Sequence, residues 1–540
     1  MKIKLSILLV FCIGTIALAQ NATVFGTITD TKTGEPLFAS VILDNKGVEA
    51  NAAGLYEIKI PANKDITLIY SYVNYIADTV VVNLKKGERR QIDMTLLSRV
   101  FTEVVVEDST LLNRDSDKPV DVKPLKLIPT VSLNFEQVLG VIGLGVSAGT
   151  GGELSSQYSV RGGNYDENLI YINDFEIYRP FLIRSGQQEG LSFPNIDLIR
   201  DISFSSGGFD AKYGDKLSSV LNINYKRPDS LKASIGMSLL GGSAHLEGAV
   251  YKDKNKKTEK AFRYLMGARY KTTQYLLGSL DLAGEYSPNF FDFQGAFSYD
   301  FNESWQLSVL GNYNTSEYYF QPSQRNSTLG VIDFALQLNV DFEGQEIDEF
   351  NTYMGGIALT NINKEHNYFL KLLASRYGSQ ENEEFDILGY YELGVLETDL
   401  GSSNFGNVVS ILGSGTEHRY ARNYLTSNVS NIAHKGGWEW DKEGSLTTFL
   451  QWGVKYQRET ISDQLNEWKR LDSAGYSLVY DVNQVLLQDV VKTDILLESN
   501  RFSAFAQNTW NGADSTKEWS LTAGLRAQYW DLNNEFLFMP

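Results

Sequence analysis

Apolar and polar positions follow a different rhythm in each part of this chain. Residues 1–20 open with Lys2 and Lys4 and then run apolar over 5–18. Ala17-Leu18-Ala19 before Gln20 has the small-x-small form of a cleavage site. The segment reads as a secretory signal peptide, too short and wrongly flanked for a spanning helix. Over 22–98, short alternating runs at 24–28, 39–43, 51–58, 66–72 and 79–84 are separated by turn residues such as those at 30–36. Short strands at near-regular spacing predict a β-sandwich.

Residues 99–118 change to linker composition, polar and proline-punctuated, and contain one β-prone run, Thr102-Glu103-Val104-Val105-Val106. That run is either a last strand of the sandwich or an extended segment that a partner pairs with by strand addition. Beyond it, 132–139 reads as a capped short helix, followed by a Gly-rich stretch over 140–152.

From 229 to 540 the period is two. Phe291, Phe293, Phe297, Tyr299 and Phe301 alternate with Asp292, Gln294, Ala296, Ser298 and Asp300. Asn302-Glu303-Ser304 turns the chain, and Trp305, Leu307, Val309 and Tyr313 alternate with Gln306, Ser308, Leu310 and Asn312. Two strands of about ten residues joined by a tight turn, with aromatic ends on the apolar face, form the transmembrane hairpin pattern. It returns at 450–456 and 519–529, where Lys455 and Arg526 on the polar face suit a wet lumen. The polar stretches 378–417 and 458–498 are expected to be long extracellular loops, opposite short periplasmic turns.

Composition narrows the classes. Removing Lys2 and Lys4 takes the net charge from −18 to −20, which excludes nucleic-acid binding by phosphate neutralisation. Aromatics reach 12%, with 46 glycines and 11 prolines, and no mature segment approaches the apolar run of a membrane helix. Cys12, the one cysteine, lies in the signal segment. The four histidines, His245, His366, His418 and His434, open no zinc motif. Gly145-x-Ser147-x-Gly149 matches the hydrolase elbow, but glycines continue on both sides and the nearest histidine is His245. No catalytic residue, cofactor or metal site is expected, and no nucleotide site.

Two resemblances organise these observations. Gly26-x-x-x-Asp30, Gly34-Glu35-Pro36-Leu37, Gly54-x-Tyr56 and Tyr70-x-Tyr72-x-x-Tyr75 make 22–98 similar to the carboxypeptidase-regulatory-like domains at the N-termini of many Bacteroidetes outer-membrane receptors. Residues 119–228 resemble the plug domain of TonB-dependent receptors. The motifs are Val160-Arg161-Gly162-Gly163, the apolar strand 168–172 ending in Asn173-Asp174, the strand 196–202, Gly207-Gly208-x-x-Ala211-x-Tyr213-Gly214, and the strand 219–223. Phe175 stands where the family has Gly, and Ser203 where an acidic residue or valine is common.

The resemblance implies a mainly β fold: an N-terminal β-sandwich, an α/β plug and a partial antiparallel transmembrane β-barrel in the cell outer membrane. It implies TonB-dependent active import of a scarce substrate, with outer-membrane lipid and the TonB energy-coupling complex as partners and Glu103, Val104, Val105 and Val106 as the coupling strand. The alternative is a substrate-sensing, signalling receptor built on the same plug. Arg161, Tyr178, Arg179, Phe181 and Tyr213 are the substrate-facing candidates; Arg161 and Tyr213 are equally readable as structural residues of the plug. The 178–181 loop is the stronger candidate, as exposed aromatics without a core role. A small molecule, glycan or peptide fits as substrate, with or without a surface lipoprotein to hand it over. Plugged receptors of this kind have about 22 strands, whereas 231–540 accommodates roughly 12–14, so a longer C-terminal portion is expected.

Overall fold

The computed structural model describes 21–98, short pieces between 120 and 148, 157–178, 193–272, 284–473 and 487–539, each apart from scattered turn positions. Nine strands, β1 (Asn21–Asp30) to β9 (Met94–Ser98), form two sheets. One runs β4 (Leu55–Pro61), β1, β9, β6 (Tyr75–Ile76), with β8 (Arg89–Gln91) added to β1; the other runs β3 (Lys46–Glu49), β2 (Ser40–Leu43), β5 (Ile66–Ser71), β7 (Asp78–Val82). Alternation places Val24, Ile58, Leu68, Tyr70 and Leu96 between them as a closed core. Within it Tyr56 and Tyr70 share a hydroxyl hydrogen bond of 2.7 Å, which satisfies two polar groups that burial would otherwise leave costly.

A third sheet, that of the plug, runs β10 (Val120–Asp121), β15 (Ile199–Ser205), β16 (Ser219–Tyr225), β13 (Asn168–Ile172), β14 (Phe175–Glu176). β13 and β16 are parallel and the other pairs antiparallel. Beside it, β11 (Val146–Ala148) pairs with β12 (Tyr158–Val160). The helix expected over 132–139 falls largely outside the described residues, although Phe135 and Leu139 are helical. The 102–106 run also lies outside them.

Thirteen strands from β17 (Lys232–Ser238) to β29 (Glu535–Met539) form one antiparallel sheet, with consecutive neighbours except that β22 (Arg325–Val331) pairs beside the path with β23 (Phe334–Asn363). Its polarity is the reverse of a soluble sheet. Phe291, Phe293, Val309 and Tyr313 are exposed, whereas Asp292 and Gln294, their neighbours in sequence, are each 1% exposed. A surface facing hydrocarbon and an interior facing polar groups produce that inversion. No described helix is long and apolar enough to cross a membrane.

The expected loops are corrected. Residues 378–396 and 408–417 continue β24 (Tyr368–Leu396) and β25 (Val408–Lys442), and 458–472 continues β26 (Leu446–Asp472). At about 3.3 Å per residue and a tilt near 40°, strands this long rise well beyond an apolar band of about 25 Å. Their upper halves meet water on the outer face as well, so the apolar period fades although the ladder continues.

Candidate functional site

The plug sheet is held against the inner face of the thirteen-stranded sheet. Ile170, Ile172, Leu221 and Ile223 of the plug share one core with Leu265, Leu310, Met354, Leu373 and Val429 of the wall. Charge surrounds this apolar contact. Asn173 and Asp174 both take positive φ, 48° and 71°, and make the two-residue turn between β13 and β14. Asx side chains tolerate that conformation, which is why the turn closes with Phe175 in place of the glycine usual after Asp. Phe175 is instead the first strand residue of the return, paired with Ile172.

The turn aims Asp174 at two wall lysines, Lys371 Nζ at 2.5 Å and Lys435 Nζ at 3.3 Å. Burial raises the Asp174 pKa, but the two lysines outweigh it and hold the carboxyl well below its ordinary range. Glu176 receives Lys455 Nζ at 2.6 Å. Asp215, at the other end of the plug motif, faces Arg501 at 3.6 Å and Arg526 at 3.8 Å. Lys455 and Arg526, polar-face residues of the barrel pattern, thus meet the plug. A cavity between the two bodies is lined by Tyr171, Asp174, Glu176, Lys435, Lys455 and Arg526.

Arg161 and Gly162 take successive positive φ values of 50° and 82°, a tight reversal after β12. The Arg161 amide donates to the Gly145 carbonyl at 2.9 Å, and Nη1 lies 3.1 Å from where a Cβ on Gly207 would sit. The motif residues Arg161 and Gly207 are therefore adjacent in space, with Gly163 next in the same reversal. Tyr213 packs beside Tyr171, ring centroids 6.0 Å apart, with Lys212 Nζ 4.9 Å above its ring. Gly214 lies directly under the Arg526 guanidinium, where a side chain would collide with it.

Tyr178 is a correction. It is half-buried and packs against the shared core, with its ring 5.4 Å from that of Tyr377. Its hydroxyl accepts from Asn431 Nδ2 at 3.2 Å and donates to Gln457 Oε1 at 3.4 Å. Burial, then the Glu176 carboxylate, push its phenol well above the ordinary range, so it stays protonated. The sequence gives it an exposed place because only its own segment is visible there; its partners lie more than two hundred residues further on. Arg179, Phe181 and Gly208 lie outside the described residues. The wall partners Lys371, Lys435, Asn431 and Gln457 were missed, and alternation marks them only as inward-facing polar residues. Ser147 of the apparent hydrolase elbow sits mid-strand, its hydroxyl 2.7 Å from that of Ser159.

Residues 24–106 match the CarboxypepD_reg-like domain and residues 113–219 the TonB-dependent receptor plug domain. No curated protein matches the chain. Among solved structures, the ferric yersiniabactin uptake receptor of Yersinia pestis has 9% identity, with 77% of this chain and 69% of that chain covered at a TM-score of 0.33. A siderophore receptor of Pseudomonas aeruginosa has 12% identity, with 79% and 91% covered at 0.29. The ferric enterobactin receptor of the same organism, as a mutant, has 9% identity, with 77% and 90% covered at 0.30. With overlaps this low, identity rests on the two domain families. The chain thus carries the plug domain of a TonB-dependent receptor behind a carboxypeptidase-regulatory-like domain, an arrangement of transport receptors rather than enzymes, and it belongs to the outer membrane.

Proposed function

We propose that this protein actively imports a scarce substrate across the outer membrane, with the plug as the gate and TonB as the source of energy. The observation that carries the reading is the plug's acidic hairpin, Asp174 and Glu176, gripped by Lys371, Lys435 and Lys455 inside a polar-lined sheet. Ion pairs beside a cavity exchange for water at small net cost, as a plug that must move requires. Substrate binds above the plug; Arg161, Arg179, Phe181 and Tyr213 remain candidates for contact, and Tyr178 joins them only if the plug shifts away from Asn431. Occupancy then frees Glu103, Val104, Val105 and Val106, and TonB adds a strand to this run and pulls. The substrate is a small molecule, glycan or peptide, taken up directly or from a surface lipoprotein.

A second reading, a sensing receptor that reports occupancy, is favoured by one contact: Tyr72 of the N-terminal domain donates to plug Asp201 at 3.3 Å.

The test uses the full chain in outer-membrane vesicles with the purified periplasmic domain of TonB as probe. Val105→Pro removes one ladder donor and is expected to abolish capture, as is deletion of 102–106. Capture by the proline variant at the wild-type level would remove the coupling assignment. In cells, a variant that loses capture but keeps uptake of a growth-limiting nutrient would refute import by this route.

A further inference from the structure

The N-terminal domain meets the plug through Glu35 and the buried Tyr72 on one side and Arg200 and Asp201 on the other. A β-bulge lies between Ile199 and Asp201 in β15, so Arg200 has no paired place in the ladder. Bulges re-aim side chains, and this one turns the Arg200 guanidinium out to Glu35, in the turn after β1. Its Nε also holds Asp201 Oδ2 at 2.5 Å. Asp201 is 2% exposed and is gripped from further sides: Asn224 Nδ2 donates at 2.7 Å and the Tyr72 hydroxyl at 3.3 Å. On the N-terminal side, Tyr72 packs 5.3 Å from Tyr75, whose hydroxyl donates to Asp30 at 2.6 Å. The segments around Asp30 and Tyr75 are therefore tied together on this face.

The position of this contact gives it meaning. The backbone of Asp201 pairs with Asp121 of β10, and Ile202 with Val120. β10 is a two-residue edge strand, and it is the first described strand after the linker that contains 102–106. Pull on the linker reaches β10 first, and among the described strands β10 pairs with β15 alone.

We infer that the N-terminal domain is a clamp on the plug: Glu35 and Tyr72 fix the Arg200–Asp201 bulge of β15 and so keep edge strand β10 in the sheet while the domain is docked. The contact is polar and small, so it releases without unfolding either core. A buried carboxylate that loses its donors is costly, so undocking weakens β15 where β10 attaches. This coupling holds whether the plug serves import or sensing, and its test needs no substrate.

The experiment uses the full chain in vesicles. Cys12 is the sole cysteine, so spin labels go on Asn83→Cys in the N-terminal domain and Glu303→Cys in a barrel turn. Hydrogen exchange is read in parallel over 199–205. The wild type is expected to give one narrow inter-label distance. The Glu35→Gln, Tyr72→Phe double variant is expected to broaden it and to raise exchange over 199–205 about tenfold. Arg200→Met, made from the plug side, is expected to do the same, whereas Glu57→Gln, which loses a pair with Arg89 inside the N-terminal domain, is expected to do neither. A broad distance in the wild type overturns the docking. A broadened distance with unchanged exchange overturns the clamp, as does a narrow distance in both interface variants.

Discussion

Asp174 shows how much one turn residue decides. It supplies half of the positive-φ turn and the anion between two wall lysines. Asn also tolerates positive φ, so Asp174→Asn keeps the turn and removes the charge. Lys371 and Lys435 then face each other without a counter-ion. At pH 7 hydrogen exchange over 168–176 is expected to rise several-fold, with the barrel unaffected. The sign of the pH dependence follows from the lowered pKa. The stabilisation is complete above the ordinary aspartate range, near pH 4, and fades as pH falls through the still lower folded value. Wild type and variant should therefore differ at pH 7 and converge only in strong acid; equal exchange at pH 7 would show that the pair does not hold the hairpin. The contribution is modest, because the Asp174 side chain is 35% exposed and water screens it.

The elements were legible in the sequence wherever one face is buried and the other is not. Alternation over 291–313 gives the hairpin of β20 (Gly284–Asp300) and β21 (Trp305–Pro322), and Asn302 closes it by accepting from the Trp305 amide at 2.8 Å. It failed at 378–417 and 458–472, where both faces of the extended strands carry polar residues and no period remains. It also could not see that β13 and β14 seat on the wall. That seating requires close approach: the ring of Phe175 lies 2.7 Å from where a Cβ on Gly356 of β23 would stand. Gly356→Val fills the space that Phe175 needs. Overpacking of this kind costs about 1–3 kcal/mol, and it falls on plug seating because the atoms nearest that space all belong to the Phe175 ring. Protection over 168–177 should drop, and Phe175→Ala in the same chain should restore part of it. Undiminished protection in Gly356→Val would mean that the hairpin does not bear on this wall.

At the scale of the molecule, two large apolar cores stand among the described residues, beside a small ring cluster of Phe290, Tyr318 and Phe350 in the wall. Leu68, Tyr70 and Leu96 belong to one that closes within the N-terminal domain. The other joins plug and wall in a single cluster through Ile172, Leu221, Leu310 and Leu373. The link between them at Arg200 and Asp201 is polar and small. Cooperative unfolding follows shared apolar burial, so the N-terminal domain should melt as its own unit, while plug and barrel are more strongly coupled. Leu68 is fully buried, and Leu68→Ala leaves a cavity worth about 2–5 kcal/mol. In detergent, calorimetry of the full chain should show the lower transition move down or vanish, with the barrel transition unchanged within error. Arg200→Met should leave the barrel transition in place and shift the lower one only slightly, because the clamp adds a contact between two already closed cores. A single transition that Leu68→Ala shifts as a whole would mean that the N-terminal domain is built into the receptor's fold and does not dock on it, and reversible clamping would fail with that result.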